Sequence, residues 1–231
     1  YQVSQHFAQS DDGTRVPYFL ICRKDVVYDG KNPTLLYGYG GFEVSLDPYY
    51  LGVSGVSWLD RGGVFVVANI RGGGEYGPEW HKAALKEKRL RAYEDFASVA
   101  KALIASNITS PAHLAAQGGS NGGLLVGNML TRYPELFGAI VCEVALLDMY
   151  RYTQISAGAS WIAEYGDPQK PEEWAFIREF SPYHNLDATK KYPPVLITTA
   201  TSDDRVGPDH ARKMAAKMQA MGILDVYFYE N

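Results

Sequence analysis

Short runs rich in β-branched and aromatic residues recur at Gln2–Ala8, Val16–Arg23, Thr34–Tyr37, Val64–Asn69, His113–Gln117, Ala139–Cys142, Val195–Ala200 and Val226–Tyr229. Their length and make-up predict eight strands. Asp11-Asp12-Gly13-Thr14 separates the first two and is a turn sequence, so they read as an antiparallel hairpin. Between later strands the apolar period lengthens to that of a helix. Ala92–Ser106 sets Ala92, Phe96, Val99, Ala100 and Leu103 on one face, Leu124–Arg132 adds Leu125 and Met129, and Pro208–Met221 gathers Ala211, Met214, Ala215 and Met218. Gly222 is placed to end the last of these. Strands separated by helices predict βαβ units. The expected fold is one α/β domain over residues 1–231, an eight-stranded, mostly parallel sheet with an N-terminal antiparallel hairpin and helices on both faces.

One strand-to-helix junction carries chemistry. Gly118, Ser120 and Gly122 form G-x-S-x-G between the strand at His113–Gln117 and the helix at Leu124–Arg132. A nucleophilic serine must stand on a tight turn with an unfavourable backbone, and glycines two residues either side let the chain close. The helix N-terminus then directs free N–H groups toward developing negative charge. The plainer alternative is a glycine-rich structural turn. A serine hydroxyl needs a base, and the base an orienting carboxylate. Asp203 follows the strand at Val195–Ala200 and is the candidate acid, with Asp204 its competitor; one of the two is also expected to cap the helix near Pro208.

The base is harder to place. His6 lies in the hairpin, His113 begins a strand, His184 lies in a loop, and His210 reads as a surface or packing residue. His81, after Trp80, is the one other conceivable base, and the simplest expectation puts the base beyond Asn231. The chain opens without an initiator Met or signal peptide, as a strand entered mid-stream, so a longer parent is expected and localisation is unread.

Composition narrows the classes. Hydrophobic residues make up 46% and charged residues 21%, which suits a globular core rather than a disordered chain. The net charge of −4 offers no basic footprint for nucleic acid or an anionic membrane. Apolar runs such as Val64–Ala68 are too short to span a bilayer. Cys22 and Cys142 lie inside strand-like runs and read as buried thiols, with no metal site implied. Gly72–Gly77 satisfies G-x-G-x-x-G after a strand, but a nucleotide site needs a helix opening at those glycines, and charged residues 82–91 intervene. The run Lys86-Glu87-Lys88-Arg89 reads as a solvated surface.

Four segments, Tyr37–Phe42, Asn69–Gly77, Gly118–Gly123 and Asp203–Val206, together resemble the peptidase domain of the prolyl oligopeptidase family, in the same order and over nearly the whole chain. The resemblance implies an α/β-hydrolase fold, no metal or organic cofactor, and an N-terminal β-propeller domain in the parent that restricts entry to short proline-containing peptides. It implies Ser120 as nucleophile, Asp203 as acid, and an oxyanion hole formed by the Asn121 N–H and the Tyr39 hydroxyl. Phe42, Trp161 and Tyr165 match the proline pocket, and Arg205 the arginine that grips a substrate carbonyl, although it could also pair with Asp204. The family's histidine, in a loop after the last strand, has no counterpart here, so the segment alone is expected to be nearly inactive. The implied activity of the parent is serine endopeptidase cleavage after proline. Its rivals are a broader esterase or aminoacyl-peptidase of the same fold and a catalytically silent domain.

Overall fold

The computed structural model describes residues 1–231. Its strands are β1 (Gln2–Gln9), β2 (Arg15–Cys22), β3 (Thr34–Gly38), β4 (Val64–Ala68), β5 (Leu114–Gly119), β6 (Ala139–Glu143), β7 (Val195–Thr199) and β8 (Val226–Glu230). Its α-helices are α1 (Pro78–Lys82), α2 (Leu90–Ala105), α3 (Asn121–Arg132), α4 (Ile162–Tyr165), α5 (Pro171–Ile177), α6 (Pro182–Asn185) and α7 (Asp209–Ala220). The strands form one sheet in the order β1-β2-β4-β3-β5-β6-β7-β8. The β1–β2 and β2–β4 pairs are antiparallel, and every pair from β4 to β8 is parallel. The predicted hairpin turn is closed by the Ser10 N–H on the Thr14 carbonyl, 2.8 Å.

β4 shows how the sheet divides its two faces. Val64, Val66 and Ala68 join a core that also takes Phe96, Ala100 and Leu103 of α2, Leu125 and Met129 of α3, and Met214 and Met218 of α7. Phe65 and Val67 turn the other way, onto Leu59, with Leu35, Tyr37, Leu51 and Trp58 beside them. All three long helices therefore cover one face. The opposite face carries the 46–59 segment with a π-helical turn over Gly55–Leu59, so the helical cover expected on both faces is uneven. An apolar groove of about 450 Å³, bordered by Val3, Phe19, Leu51 and Val56, lies on that second side and contains none of the candidate site residues.

The G-x-G-x-x-G loop after β4 leads to α1, a helix of only five residues. A side chain at Gly72 would collide with the Gly40 carbonyl, and one at Gly74 with the Glu43 carbonyl. The glycines serve backbone-to-backbone packing. Strand order then locates the functional edge. The chain passes from β3 outward to β4 and returns across β3 to β5, so β3 and β5 are neighbours whose following loops diverge. In open α/β sheets such a reversal opens a crevice at the carboxyl ends of the strands. Tyr39 stands one residue past β3 and Ser120 one residue past β5.

Candidate active site

Ser120 joins β5 to α3 with φ 58° and ψ −118°. A non-glycine residue held there stores on the order of 1–3 kcal/mol of strain. The turn is tight because a Cβ on Gly118 would run into the Gly122 carbonyl. The Ser120 N–H is tied to the Glu143 carbonyl at the end of β6, 2.9 Å, and its own carbonyl accepts the Leu124 N–H, 3.1 Å. α3 therefore begins at Asn121, three residues earlier than the apolar period suggested. The Asn121 N–H is among the first four of that helix, which have no intrahelical acceptor.

The Tyr39 phenol faces Ser120. Burial pushes its pKa up, opposed by the nearby Ser120 hydroxyl and by the Arg205 charge. The net rise keeps it a protonated donor at neutral pH. The Tyr39 carbonyl accepts from Asn121 Nδ2 at 2.6 Å, which ties the loop after β3 to the first residue of α3.

Asp203 lies four residues past β7. Its Oδ1 accepts the backbone N–H groups of Arg205 at 3.1 Å and Val206 at 3.0 Å, while Oδ2 carries no hydrogen bond from the chain. Neither Asp203 nor Asp204 caps α7, which opens after Pro208 without a side-chain cap. The local turn claims Asp203 instead. Arg205 is exposed and forms no ion pair with Asp204.

The aromatic cluster has two layers. The Phe42 ring sits edge-on to Trp161, 6.5 Å between centroids, and edge-on to Tyr165 at 5.6 Å. Phe42 and Trp161 keep partial exposure, but Tyr165 has none and donates its hydroxyl to Asn121 Oδ1, 2.7 Å. Tyr165, which the resemblance matched to the proline pocket, is thus fully buried beside the Phe42 edge.

Two residues that sequence reasoning missed bind these parts together. Arg89, placed with a solvated charge run, is 1% exposed, and Glu164 is 4% exposed. Arg89 Nη2 donates to Glu164 Oε1 at 2.8 Å and to Asn121 Oδ1 at 3.3 Å, and Nη1 donates to the Gly40 carbonyl at 2.9 Å. Glu164 Oε1 also accepts the Phe42 N–H at 3.0 Å. One signal was available: Arg89 extends the α2 stripe of Ala92, Tyr93 and Phe96 back by one turn. Glu164 had none.

Each histidine is engaged elsewhere. His81 Nε2 meets Glu164 Oε2 at 2.8 Å, His6 meets Ser4, His113 meets Ser110, His184 meets Ser181, and His210 accepts from the Leu147 and Asp148 N–H groups. None hydrogen-bonds Ser120 or Asp203. No three His, Cys, Asp or Glu side chains cluster as metal ligands would, and no helix is long and apolar enough to cross a membrane.

Comparison with known proteins gives this geometry relatives. The model of the prolyl oligopeptidase family matches residues 51–229. An uncharacterised peptidase of Sinorhizobium fredii is 56% identical over 230 residues, and a prolyl endopeptidase of Elizabethkingia miricola is 41% identical over 221. These alignments take in 100% and 95% of this chain, but 32% and 31% of the two relatives. The chain thus spans about a third of the length of the relatives it matches. The solved structure of a post-proline cleaving enzyme from Rickettsia typhi superposes with a TM-score of 0.97 at 49% identity, covering 100% of this chain and 33% of that one. The sheet is that of an α/β-hydrolase catalytic domain, and the chain belongs to the prolyl oligopeptidase family.

Proposed function

We propose that the protein carrying this chain is a serine endopeptidase that cleaves short peptides after proline through an acyl-enzyme on Ser120. The observation that carries the reading is a strained serine at the β5–α3 turn, facing a protonated phenol, with the first N–H groups of α3 beside it. Ser120 Oγ attacks the scissile carbonyl and gives up its proton to an imidazole. Charge developing on the carbonyl oxygen settles between the Asn121 N–H and the Tyr39 hydroxyl, both fixed before the reaction begins. The imidazole then protonates the leaving amine, and water repeats the sequence on the acyl-enzyme.

With all five histidines engaged away from Ser120, the imidazole belongs to residues outside 1–231, and the open Oδ2 of Asp203 fixes its tautomer. The proline ring lies against the Trp161 indole and the Phe42 edge, a flat apolar fit for a residue with no N–H to satisfy. Tyr165 supports that wall from behind, and exposed Arg205 reaches a substrate carbonyl. A β-propeller domain elsewhere in the protein limits entry to short peptides, which accords with the chain's one-third share of its relatives. The scheme uses no metal or organic cofactor. In the test, the intact protein is incubated with a fluorophosphonate and with a chromogenic peptide bearing proline before the scissile bond. Ser120→Ala should abolish both labelling and turnover. Retention of both would remove Ser120 from the nucleophile's role.

A further inference from the structure

The Arg89–Glu164 pair lies at the meeting point of three separate pieces of chain. Arg89 precedes α2, Glu164 lies in α4 beside Trp161 and Tyr165, and Asn121 opens α3. The pair takes hold of the Gly40 carbonyl and the Phe42 N–H, the peptide groups on either side of Gly41. It also shares Asn121 Oδ1 with the Tyr165 hydroxyl. The Arg89 guanidinium stands 4.9 Å from the Tyr165 ring centre, completing a cage of charge and aromatic face. A buried ion pair is a poor device for stability alone, since desolvation of both charges offsets their attraction. Arg89 Nε is buried without any partner, a further cost of the site. What such a pair supplies is direction, because a guanidinium fork fixes several acceptors in one plane.

Resting on the peptidase reading above, we propose that Arg89 and Glu164 are positioning residues that couple proline binding to oxyanion stabilisation. Phe42 is a wall of the proposed proline pocket, and Tyr39, three residues earlier, is the proposed oxyanion donor. Glu164 fixes the backbone of the first while Arg89 fixes the turn between the two. A proline that presses Phe42 and Trp161 into place therefore also sets the phenol over the carbonyl oxygen. A smaller residue leaves both loose. Selectivity then appears in kcat as well as in binding.

The test uses the intact protein and two peptides that differ only in proline or alanine before the scissile bond. Turnover is divided by the fraction of Ser120 labelled by a fluorophosphonate, so misfolded enzyme does not count. Arg89→Met/Glu164→Met replaces the pair with apolar side chains, a change buried ion pairs often tolerate in stability. It should lower kcat per labelled site on the proline peptide by about 10²-fold, the scale of a misplacement near 1 Å. KM should change far less, and the preference for proline over alanine should collapse. Arg89→Lys, which keeps the charge but not the fork, should fall between the two. Wild-type kcat per labelled site and an intact proline preference in the double variant would overturn the coupling. If the double variant takes up no label, Glu164→Gln carries the same comparison with a smaller change of shape, and unchanged kcat and preference there would overturn it. Ser120→Ala, run beside them, separates the failures: an active Ser120→Ala sinks the peptidase assignment, whereas an inactive one beside an unaffected double variant sinks only the coupling.

Discussion

Tyr39 is the residue on which the chemistry of the site can be read most directly. Its phenol is pushed toward the neutral form by burial, so it can donate to an oxyanion without first losing its proton. Tyr39→Phe removes that single donor and leaves the ring in place. Loss of one oxyanion donor costs about 10²–10³-fold in kcat. Steady-state kinetics on the proline peptide should show equal falls in kcat and kcat/KM, the mark of an interaction made only in the transition state. A fall in KM-dependent terms alone would make Tyr39 a packing residue. Asp203→Asn should be more severe, about 10⁴-fold, because an amide favours the wrong tautomer of the base. Asp204→Asn, at an exposed side chain, should leave kcat within a few-fold of wild type, so the pair of variants decides between the two carboxylates. Ser120 and Asp203 stood out as candidates because each follows the carboxyl end of a strand, whereas Tyr39 was implied only by the family resemblance. Arg89 offered only its place one turn before Ala92 and Tyr93, a signal masked by the charge run around it. Its neighbours in sequence are Lys86, Glu87 and Lys88, and only the fold turns one member of that run inward.

At the scale of elements, β5, Ser120 and α3 act as one unit. Leu124, Leu125, Met129 and Leu130 of α3 are each at most 1% exposed and hold the helix that carries the Asn121 N–H. Leu125→Ala should destabilise the protein by about 2–5 kcal/mol, the range for deleting a buried leucine side chain. Urea unfolding at neutral pH would measure it, and a change below about 1 kcal/mol would mean the site collapses around the gap. The eight strands could be anticipated from short β-branched and aromatic runs, and the three long helices because each repeats its apolar period over several residues. The short helices α1, α4, α5 and α6 span seven residues or fewer, too few turns for a period to show. Three of them do begin with proline, at Pro78, Pro171 and Pro182, the one cue the sequence offers for their start. The uneven cover of the sheet had no such cue, since β4 is buried at all five positions and reads alike from both sides.

For the whole molecule, acid stability depends in part on a buried histidine of the last helix. His210 of α7 is 1% exposed, and its Nδ1 accepts the backbone N–H groups of Leu147 and Asp148 at 3.2 and 3.1 Å. That arrangement requires the proton on Nε2, which is itself buried without a partner. Burial lowers its pKa from 6.5 to about 4, against the opposing pull of Asp148. The unfolded chain therefore binds a proton that the folded chain refuses. Stability from this source is fully present above about pH 6.5 and is lost as pH falls toward 4, amounting to about 3 kcal/mol over that window. The paired carboxylates Asp148 and Glu230, both held low in the folded state, add their own losses only at more acid pH. His210→Gln keeps an oxygen that can accept the two N–H groups but does not titrate. Urea unfolding of both proteins across this range should show the wild type losing stability more steeply, so that the two curves converge toward pH 4. Parallel curves would mean that His210 takes up its proton in the folded state as readily as in the unfolded one.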